Sequence, residues 1–346
     1  MSPTNTTGSL TVTTPTNTEI VMTRVFDAPR RLVFDALTKP ELLVRWHGPR
    51  EWPLVVCEVD LRVGGAWRFV SQGPDGTEMG MYGVYREIEP PDRLVHTESF
   101  DDWDAGEAIV TTLLVEQDGK TTFTATVRYP SQETRDAVIE SNMESGAGQS
   151  YDRLDEVLAQ AAIADRYRRV HARFTEVVAA VPADAWSNQS PCEQWDARDV
   201  VRHLVDMSAF LLGLVDRTLP ADAPSVDDDP LGAWVAARDT VQALLDDPEV
   251  AGQEHKEHRH LGQGPWNRAV DMVLTSDAVI HTWDLAHAIG LDHRIDPDEL
   301  RRGTAGLEAM PDEAIRQPEV FGPALAAPAD ADEQVKLLAF LGRKAW

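Results

Sequence analysis

The pattern of apolar positions changes its period near residue 162. Residues 19 to about 130 mostly alternate between apolar and polar side chains, as strands with one buried face do. The stretches "AIVTTLLVEQ" (108–117) and "TTFTATVRYP" (121–130) flank a "DGK" turn and predict a hairpin. Helical spacing appears in "APRRLVFDALTKPELLVRWHGP" and again from Ser131 to about Gln160, with a break expected at Gly146–Gly148. The pattern predicts an α+β unit in which an antiparallel sheet packs on a long helix.

The remainder of the chain is helical in its period. One apolar stripe runs from Ile163 to Val181 and a second from Val200 to Leu214, the second preceded by an N-cap and capping box at Asp196 and Asp199. A third helix is predicted in "DPLGAWVAARDTVQALLDD". A fourth is predicted in "WNRAVDMVLTSDAVIHTWDLAHAIG", closed by the last glycine. The pattern predicts an all-α four-helix bundle over 163–346, with short helices as a C-terminal extension.

Composition and charge narrow the range of partners. The chain has 346 residues and a formal net charge of −26, so nucleic acid and anionic lipid are not expected as partners. No apolar run is long enough to span a bilayer, and no secretory signal is recognisable, so the expected location is the cytoplasm. Residues 1–18 are rich in Thr, Ser, Asn and Pro and are expected to be a disordered tail.

Polar residues interrupt the apolar face of the fourth helix. At 100° per residue, His281 lies about 40° from Asp277, and Asp284 lies about 20° to the other side. Val270 and Leu274 occupy the same stripe. A carboxylate buried there without a partner would cost several kcal/mol or stay protonated, so a cation is expected to compensate it.

A histidine of the second helix lies on a matching face. His203 shares the stripe of Val200 and Leu211, so it should point toward the fourth helix. Two imidazoles and one carboxylate can form three ligands of a catalytic-type metal site, with zinc as the first choice and nickel, iron or manganese as alternatives. The other interpretation is a hydrogen-bonded cluster of His203, Asp277 and His281 without metal. Asp284 either orients a ligand imidazole from the second coordination shell or forms a salt bridge or cap.

Three further features have simpler explanations. The run "HKEHRH" (255–260) is read as a solvated connection and not as a second metal site. Cys192, just before a helix start, is read as structural. His287 falls about 80° off the stripe and is read as a surface residue.

The first half resembles the START-like (SRPBCC) superfamily, in the branch of the heat-shock-protein-90 ATPase activator. The resemblance is carried by "RVFDAPRRLVFDALTKPELLVRWHGP", "VDLRVGGAWRFV", "PDGTEMGMYGVYREIEPPDRLVHTESF" and "SYDRLDEVLAQ", and it covers 19–160. It implies a helix-grip fold with an apolar cavity between sheet and helix. The expected cavity residues are Trp46, Trp67, Phe69 and Met143, and for each of them ordinary core is the alternative interpretation.

The second half resembles DinB-like metal-binding bundles, in the branch of the thiol-dependent maleylpyruvate isomerases. The resemblance is carried by "SPCEQWDARDVVRHLVDM", "VIHTWDLAHAIG" and "LLAFLGR". By position it implies a divalent metal on His203, Asp277 and His281, with Asp where the family usually has Glu. It also implies mycothiol as cosubstrate. Arg343 either binds an anionic substrate group or is a surface or packing arginine.

Two functions are expected from these features. The first is a metal-dependent thiol (mycothiol-type) transferase or isomerase that acts on a small electrophile, since coordination deprotonates a thiol that can then attack. The alternative is a non-catalytic binding or stress-response protein, with an apolar ligand in the first half and a structural or sensory metal in the second. A small molecule is the expected partner, a chaperone is not expected, and the oligomeric state is left open.

Overall fold

The computed structural model describes residues 9–308 and 323–346, and it divides into two compact units. The first unit is Met1–Ala162 and the second is Ile163–Trp346. Each unit has its own hydrophobic core. Within the described ranges, no helix is both long and apolar enough to cross a membrane.

The first unit is built on one antiparallel sheet of eight strands in the order β1-β2-β8-β7-β6-β5-β4-β3. The strands are β1 (Thr11–Thr13), β2 (Glu19–Phe26), β3 (Leu54–Val59), β4 (Ala66–Gln72), β5 (Glu78–Glu89), β6 (Arg93–Phe100), β7 (Trp103–Gln117) and β8 (Lys120–Arg128).

The predicted hairpin is present as β7 and β8. Gln117 pairs with Lys120, which leaves a two-residue turn of Asp118 and Gly119. Both turn residues have positive φ, 52° and 73°, as a turn that matches the twist of paired strands requires. Glycine adopts this conformation without steric cost, so the "DG" pair fixes the register of the hairpin.

Four helices accompany the sheet. They are α1 (Arg30–Thr38), α2 (Pro40–Trp46), α3 (Gln132–Glu140) and α4 (Met143–Ala179). Tyr151 of α4 packs edge-to-face on Phe26 and Phe123 of the sheet, and Leu154 and Leu158 are fully buried in the same core. The sheet that packs on a long helix confirms the α+β fold expected from the sequence.

The break between α3 and α4 lies earlier than expected. Asn142 has φ of 62° and separates the two helices, whereas Gly146 and Gly148 lie inside α4. An asparagine tolerates the left-handed conformation just after a helix end, and the carbonyl of Asn142 accepts a hydrogen bond from the Ser145 amide (3.1 Å). The prediction of a break at the two glycines was wrong because a helix tolerates glycine at a modest cost in stability.

The expectation of disorder for residues 1–18 is wrong for the part that is described. Thr11–Thr13 forms β1 and pairs with β2, with Thr11 opposite Thr23 and Thr13 opposite Val21. Leu10 and Val12 pack against the core of the first unit. The Thr- and Ser-rich composition hid a short stretch of good strand formers. Residues 1–8 lie outside the described residues.

The second unit is helical, as expected. Its core is formed by apolar side chains of α4 and of the helices that follow. These helices are α5 (Ala197–Gly213), α6 (Pro230–Asp246), α7 (Pro248–Gly252), α8 (Trp266–Val270), α9 (Ser276–Ala288), α10 (Pro297–Glu308) and α11 (Glu333–Phe340).

The predicted fourth helix is interrupted by a π-helical segment, Asp271–Thr275, between α8 and α9. The hydroxyls of Thr275 and Ser276 donate to the carbonyls of Val270 (3.3 Å) and Asp271 (3.1 Å), five residues earlier. Arg166 also donates to the Asp271 carbonyl. These contacts occupy carbonyls of the widened turn, which a regular helix would bond internally. Beyond the segment, Gly290 has φ of 73° and follows the end of α9, as expected.

Candidate metal centre

Two helices of the second unit bring His203, Asp277 and His281 together. His203 lies on α5, which begins at the predicted capping box: Asp196 accepts from the Asp199 amide, and Asp199 accepts from the Asp196 amide. Asp277 and His281 lie one turn apart on α9. The Asp277 carboxylate bridges both imidazoles, with Oδ2 2.6 Å from His203 Nε2 and Oδ1 3.2 Å from His281 Nε2.

The cluster is closed on one side and open on the other. The side chain of His281 is 5% exposed, whereas those of His203 and Asp277 are each 26% exposed. Trp195 packs its ring against both imidazoles, at 4.8 Å from His203 and 5.6 Å from His281. A small molecule can therefore approach from the side of His203 and Asp277.

The charges in the cluster support one another. Burial disfavours ionisation of Asp277, but His281 and His203 outweigh burial and hold the pKa of this carboxyl below its usual range. Burial also disfavours a charged imidazole. Asp277, and then Asp284 and Cys192, outweigh that effect and hold the pKa of His281 well above its usual value.

Asp284 contacts both an imidazole of the cluster and a buried cation. Its Oδ2 lies 3.0 Å from His281 Nδ1, so it orients the imidazole. It is fully buried and also forms a two-point ion pair with Arg343, at 3.2 Å from Nε and 3.0 Å from Nη2. With Nδ1 bonded to Asp284, His281 turns Nε2 toward Asp277 and His203. This is the arrangement by which an outer carboxylate orients a metal-ligating histidine.

The position of Arg343 favours the packing role, one of the alternatives that the sequence left open. A substrate-binding arginine should be accessible, but Arg343 is only 9% exposed, and its guanidinium is held by Asp284 and by the Leu341 carbonyl. It compensates a buried carboxylate. The apolar stripes of the helices contain no lysine or arginine that could pair with Asp284. Arg343, which follows the end of α11, provides that positive charge.

Cys192 and Trp195 belong to this region and were not predicted as site residues. Cys192 Sγ lies 3.3 Å from Asp284 Oδ2 and 3.4 Å from Arg343 Nη2. Both residues lie in the loop before α5, within "SPCEQWD". That motif carried the family resemblance, but no periodicity assigns a direction to a loop side chain.

The donor set suits a divalent cation. His203, Asp277 and His281 offer two imidazole nitrogens and one carboxylate oxygen, all within 4.8 Å of one another. Around one tetrahedral ion with bonds of ~2.0–2.2 Å the ligand atoms lie ~3.4 Å apart, so His203 Nε2 and Asp277 Oδ2, now at 2.6 Å, would have to separate by a little under ~1 Å. A second group within the described residues, Cys192, His281 and Asp284, also meets this spacing, but Arg343 lies against it and disfavours a second cation. Neither group includes a residue of the "HKEHRH" connection.

The expected cavity residues of the first half lie in its core. Trp46, Trp67 and Phe69 are buried, at 4%, 3% and 8% exposure, and Met143 packs against the same cluster. Two surface pockets, one beside Leu113 and Val115 and one beside Trp283 and His293, are lined by other residues. The four side chains are thus placed between the sheet and helices, as ordinary core side chains also are.

Both halves of the chain match known families. Residues 27–159 match the family model described as "Activator of Hsp90 ATPase homolog 1-like protein". Residues 167–286 match the model described as "Mycothiol maleylpyruvate isomerase N-terminal domain". The second match contains His203, Asp277, His281 and Asp284.

Similar proteins and structures come from several bacteria. Uncharacterized proteins of two Mycobacterium tuberculosis strains are each 27% identical over 178 residues, which is 51% of this chain and 95% of each relative. A crystal structure of a Rhodobacter sphaeroides protein is 35% identical and covers 44% of this chain and 98% of its own, with a TM-score of 0.41. A crystal structure from Mycobacterium smegmatis is 25% identical, covers 43% and 97%, and has the same TM-score. The two family matches establish that the chain is a fusion of an activator-of-Hsp90-ATPase-like segment with a segment of the mycothiol maleylpyruvate isomerase N-terminal type.

Proposed function

We propose that the second unit is a metal-dependent thiol transferase or isomerase, acting on a small electrophilic molecule with a mycothiol-type thiol as cosubstrate in the cytoplasm. His203, Asp277 and His281 would hold the metal, with zinc as the first choice. We further propose that residues 19–160 bind a small ligand with an apolar body, and that the functional division follows the domains 19–160 and 163–346.

One observation carries the proposal for the second unit. The three candidate ligands converge from two helices, and the far nitrogen of His281 is already bonded to the buried Asp284–Arg343 pair. A cluster that served only to compensate the charge of Asp277 would not require the Asp284–Arg343 pair behind His281. The outer pair keeps His281 Nε2 turned toward the cluster, which suits a ligand atom.

The side chains around the candidate metal site are suited to activating a thiol. A divalent ion bound there would lower the pKa of a thiol and stabilise its thiolate, which is the nucleophile that such reactions need. Trp195 forms an apolar wall beside both imidazoles and excludes water from one side. The partly exposed edges of His203 and Asp277 leave an entry for the cosubstrate and the electrophile.

The second candidate function is a non-catalytic binding or stress-response protein. The contact of 2.6 Å between His203 and Asp277 is a good hydrogen bond without any ion, and this favours a structural cluster. The two functions differ in whether thiol consumption depends on metal.

The test combines metal analysis with a thiol assay on the full chain. Purified protein is loaded with Zn²⁺, dialysed and analysed for bound metal. Turnover of maleylpyruvate is then followed with mycothiol, with glutathione and without thiol. We expect close to one zinc per chain, and turnover that requires both metal and thiol. A protein that retains zinc but consumes no thiol would support the binding or sensory function instead.

Two substitutions on one helix provide a matched comparison. His281→Ala removes a candidate ligand, whereas His287→Ala changes an exposed histidine of the same helix outside the cluster. We expect His281→Ala to lose zinc and the zinc-dependent rise in melting temperature, since an ion that binds only the folded state stabilises it by mass action. His287→Ala should retain both. Equal zinc content in the two variants would remove His281 from the site.

A further inference from the structure

The π-helical segment Asp271–Thr275 changes the direction in which the next helix points its side chains. Trp266 of α8 and Leu285 of α9 are both fully buried in the apolar core of the second unit. In a regular helix, two residues with this separation would point about 100° away from each other, which is the rotation of one residue. A π-helical turn contains one extra residue and so removes this offset. The segment therefore allows α8 and α9 to bury their apolar faces against the same core.

The same rotation decides where the candidate metal ligands point. Asp277 lies two residues after the end of the π-helical segment, and His281 follows one turn later on α9. If the same residues closed into a regular α-helix, both side chains would turn by about 100° relative to α8. A binding site tolerates errors of only about 0.5 Å and 10–20° in the placement of its groups. The approach of Asp277 and His281 to His203 therefore depends on the π-helical turn.

Arg166 of α4 holds the backbone of this turn. Its Nη1 donates to the Asp271 carbonyl at 3.2 Å and to Asp271 Oδ1 at 2.6 Å, so it bonds the backbone and the side chain of one residue. In a regular α-helix the same carbonyl would accept from the amide of Thr275, four residues later. Because the guanidinium already occupies this carbonyl, it disfavours closure of the turn into a regular helix.

Glu299 of α10 fixes the orientation of Arg166. Its Oε2 accepts from Arg166 Nε at 2.9 Å and from Nη2 at 2.7 Å, and both side chains are 6% exposed. Such a two-point pair holds the plane of a guanidinium in one orientation. The remaining nitrogen, Nη1, is thereby directed at Asp271. One buried arginine thus connects α4 and α10 to the π-helical segment.

We propose that Arg166 is a positioning residue for the candidate metal centre. It keeps the π-helical turn open, and the open turn directs Asp277 and His281 toward His203. The hydrogen bonds of Arg166 go to residues other than these three, so it acts on them through the backbone of the turn. The proposal rests on the proposed metal binding by the second unit.

Arg166→Met and Arg168→Met form a matched pair of variants. Both arginines lie on α4, but Arg168 is 52% exposed and pairs with the exposed Asp246. Zinc binding to the full chain is measured by calorimetry, at a temperature at which circular dichroism shows each variant to be folded. We expect Arg166→Met to weaken zinc binding about tenfold or more, because the ligands of α9 are misdirected. Arg168→Met should leave the affinity unchanged. The visible absorption bands of cobalt-loaded protein should change in Arg166→Met alone.

Deletion of Met272 separates a role in the turn from a general structural role. Met272 is a half-exposed residue inside the π-helical segment. Without it, a regular helix keeps both apolar faces on the core, so Arg166 is no longer needed to direct the ligands. We expect the deletion to restore most of the zinc affinity that Arg166→Met loses. A double variant that binds zinc as weakly as Arg166→Met would overturn the proposal.

Arg166→Lys decides the question if Arg166→Met does not fold. A lysine keeps the positive charge beside Glu299, but it cannot bond this carboxylate at two points and hold the Asp271 carbonyl at the same time. We expect a smaller loss of zinc affinity than in Arg166→Met, again relieved by deletion of Met272. Wild-type affinity in Arg166→Lys, or a loss that the deletion does not relieve, would contradict the positioning role.

Metal-free protein distinguishes this proposal from the proposed metal binding. The imidazole nitrogen signals of His203 and His281 are recorded by NMR without zinc. We expect them to shift in Arg166→Met and to stay in place in Arg168→Met. If the wild-type protein binds no zinc and the signals shift as expected, the positioning role is supported and the metal function fails. Wild-type zinc affinity together with unchanged imidazole signals in Arg166→Met would overturn the positioning role alone.

Discussion

The ion pair between Asp284 and Arg343 in the candidate metal centre is almost completely buried. The side chain of Asp284 is 0% exposed and that of Arg343 is 10% exposed. Removal of one partner from a buried pair leaves an uncompensated charge, which typically costs about 3–5 kcal/mol. The pair therefore links the fold of the second unit to the orientation of His281.

Arg343→Met should accordingly destabilise the protein by roughly 3 kcal/mol, since Asp284 then keeps only His281 and the Cys192 thiol as partners. The matched control is Arg294→Met, which breaks the exposed pair between Arg294 (67% exposed) and Asp332 (51%). The control should lose at most about 1 kcal/mol. Urea unfolding of metal-free protein measures both, and similar losses in the two variants would contradict the assigned role of Arg343.

The sequence predicted the direction of the polar side chains on α9, but not the residues that contact them from distant parts of the chain. The helical period placed Asp277, His281 and Asp284 on one face, because spacing along a helix fixes direction. It could not place Arg343 or Cys192, which lie 59 and 92 residues from Asp284 along the chain. Contacts over such separations depend on how the segments pack, and no local pattern encodes that packing.

The capping box of α5 links a local sequence signal to the candidate centre. Asp196 accepts a hydrogen bond from the Asp199 amide at 2.9 Å, and Asp199 returns one at 3.2 Å. His203 lies about two helical turns beyond this end, so the cap fixes the start of the helix that presents it. The signal was readable in the sequence because capping depends on residues three apart.

Asp196→Ala should destabilise the protein by about 1 kcal/mol, the usual loss for an N-cap. Zinc affinity should change less than threefold, because the rest of α5 is held by its buried face, including Val200, Val201 and Leu204. Denaturant unfolding and zinc titration test the two statements. A neutral stability change, or a large loss of zinc affinity, would show that the cap acts differently from this account.

The π-helical segment is a feature that the apolar period of the sequence did not predict. The sequence predicted one helix from Trp266 to Gly290, and both flanking parts are helical. The wider turn depends on hydroxyls of Thr275 and Ser276 and on Arg166 from another helix. Neither kind of contact alters the apolar period, so the interruption became visible only in the structure.

Buried histidines give the two units a shared dependence on pH. Burial lowers the pKa of His47 and His96 to about 4 in the first unit and that of His171 to about 3 in the second. Glu98 acts in the opposite direction in the first unit, since burial raises its pKa to about 7. One of the two histidines of that unit therefore remains uncompensated. In the second unit burial also lowers the pKa of His293, whereas the raised pKa of His281 changes stability only above about pH 6.5.

Stability should fall as the pH drops from about 6.5 toward 4, because the unfolded chain binds protons in this range and the folded histidines do not. One uncompensated histidine contributes about 1.4 kcal/mol per pH unit within the window, and its contribution is fully present above pH 6.5. Urea unfolding at pH 7, 6 and 5, with hydrogen exchange resolved to each unit, measures the slope. Chelator is present because metal binding has its own pH dependence. His171→Gln should flatten the slope in the second unit alone, whereas His287→Gln, at an exposed position, should leave it unchanged; an unaltered slope in His171→Gln would rule out His171 as its source.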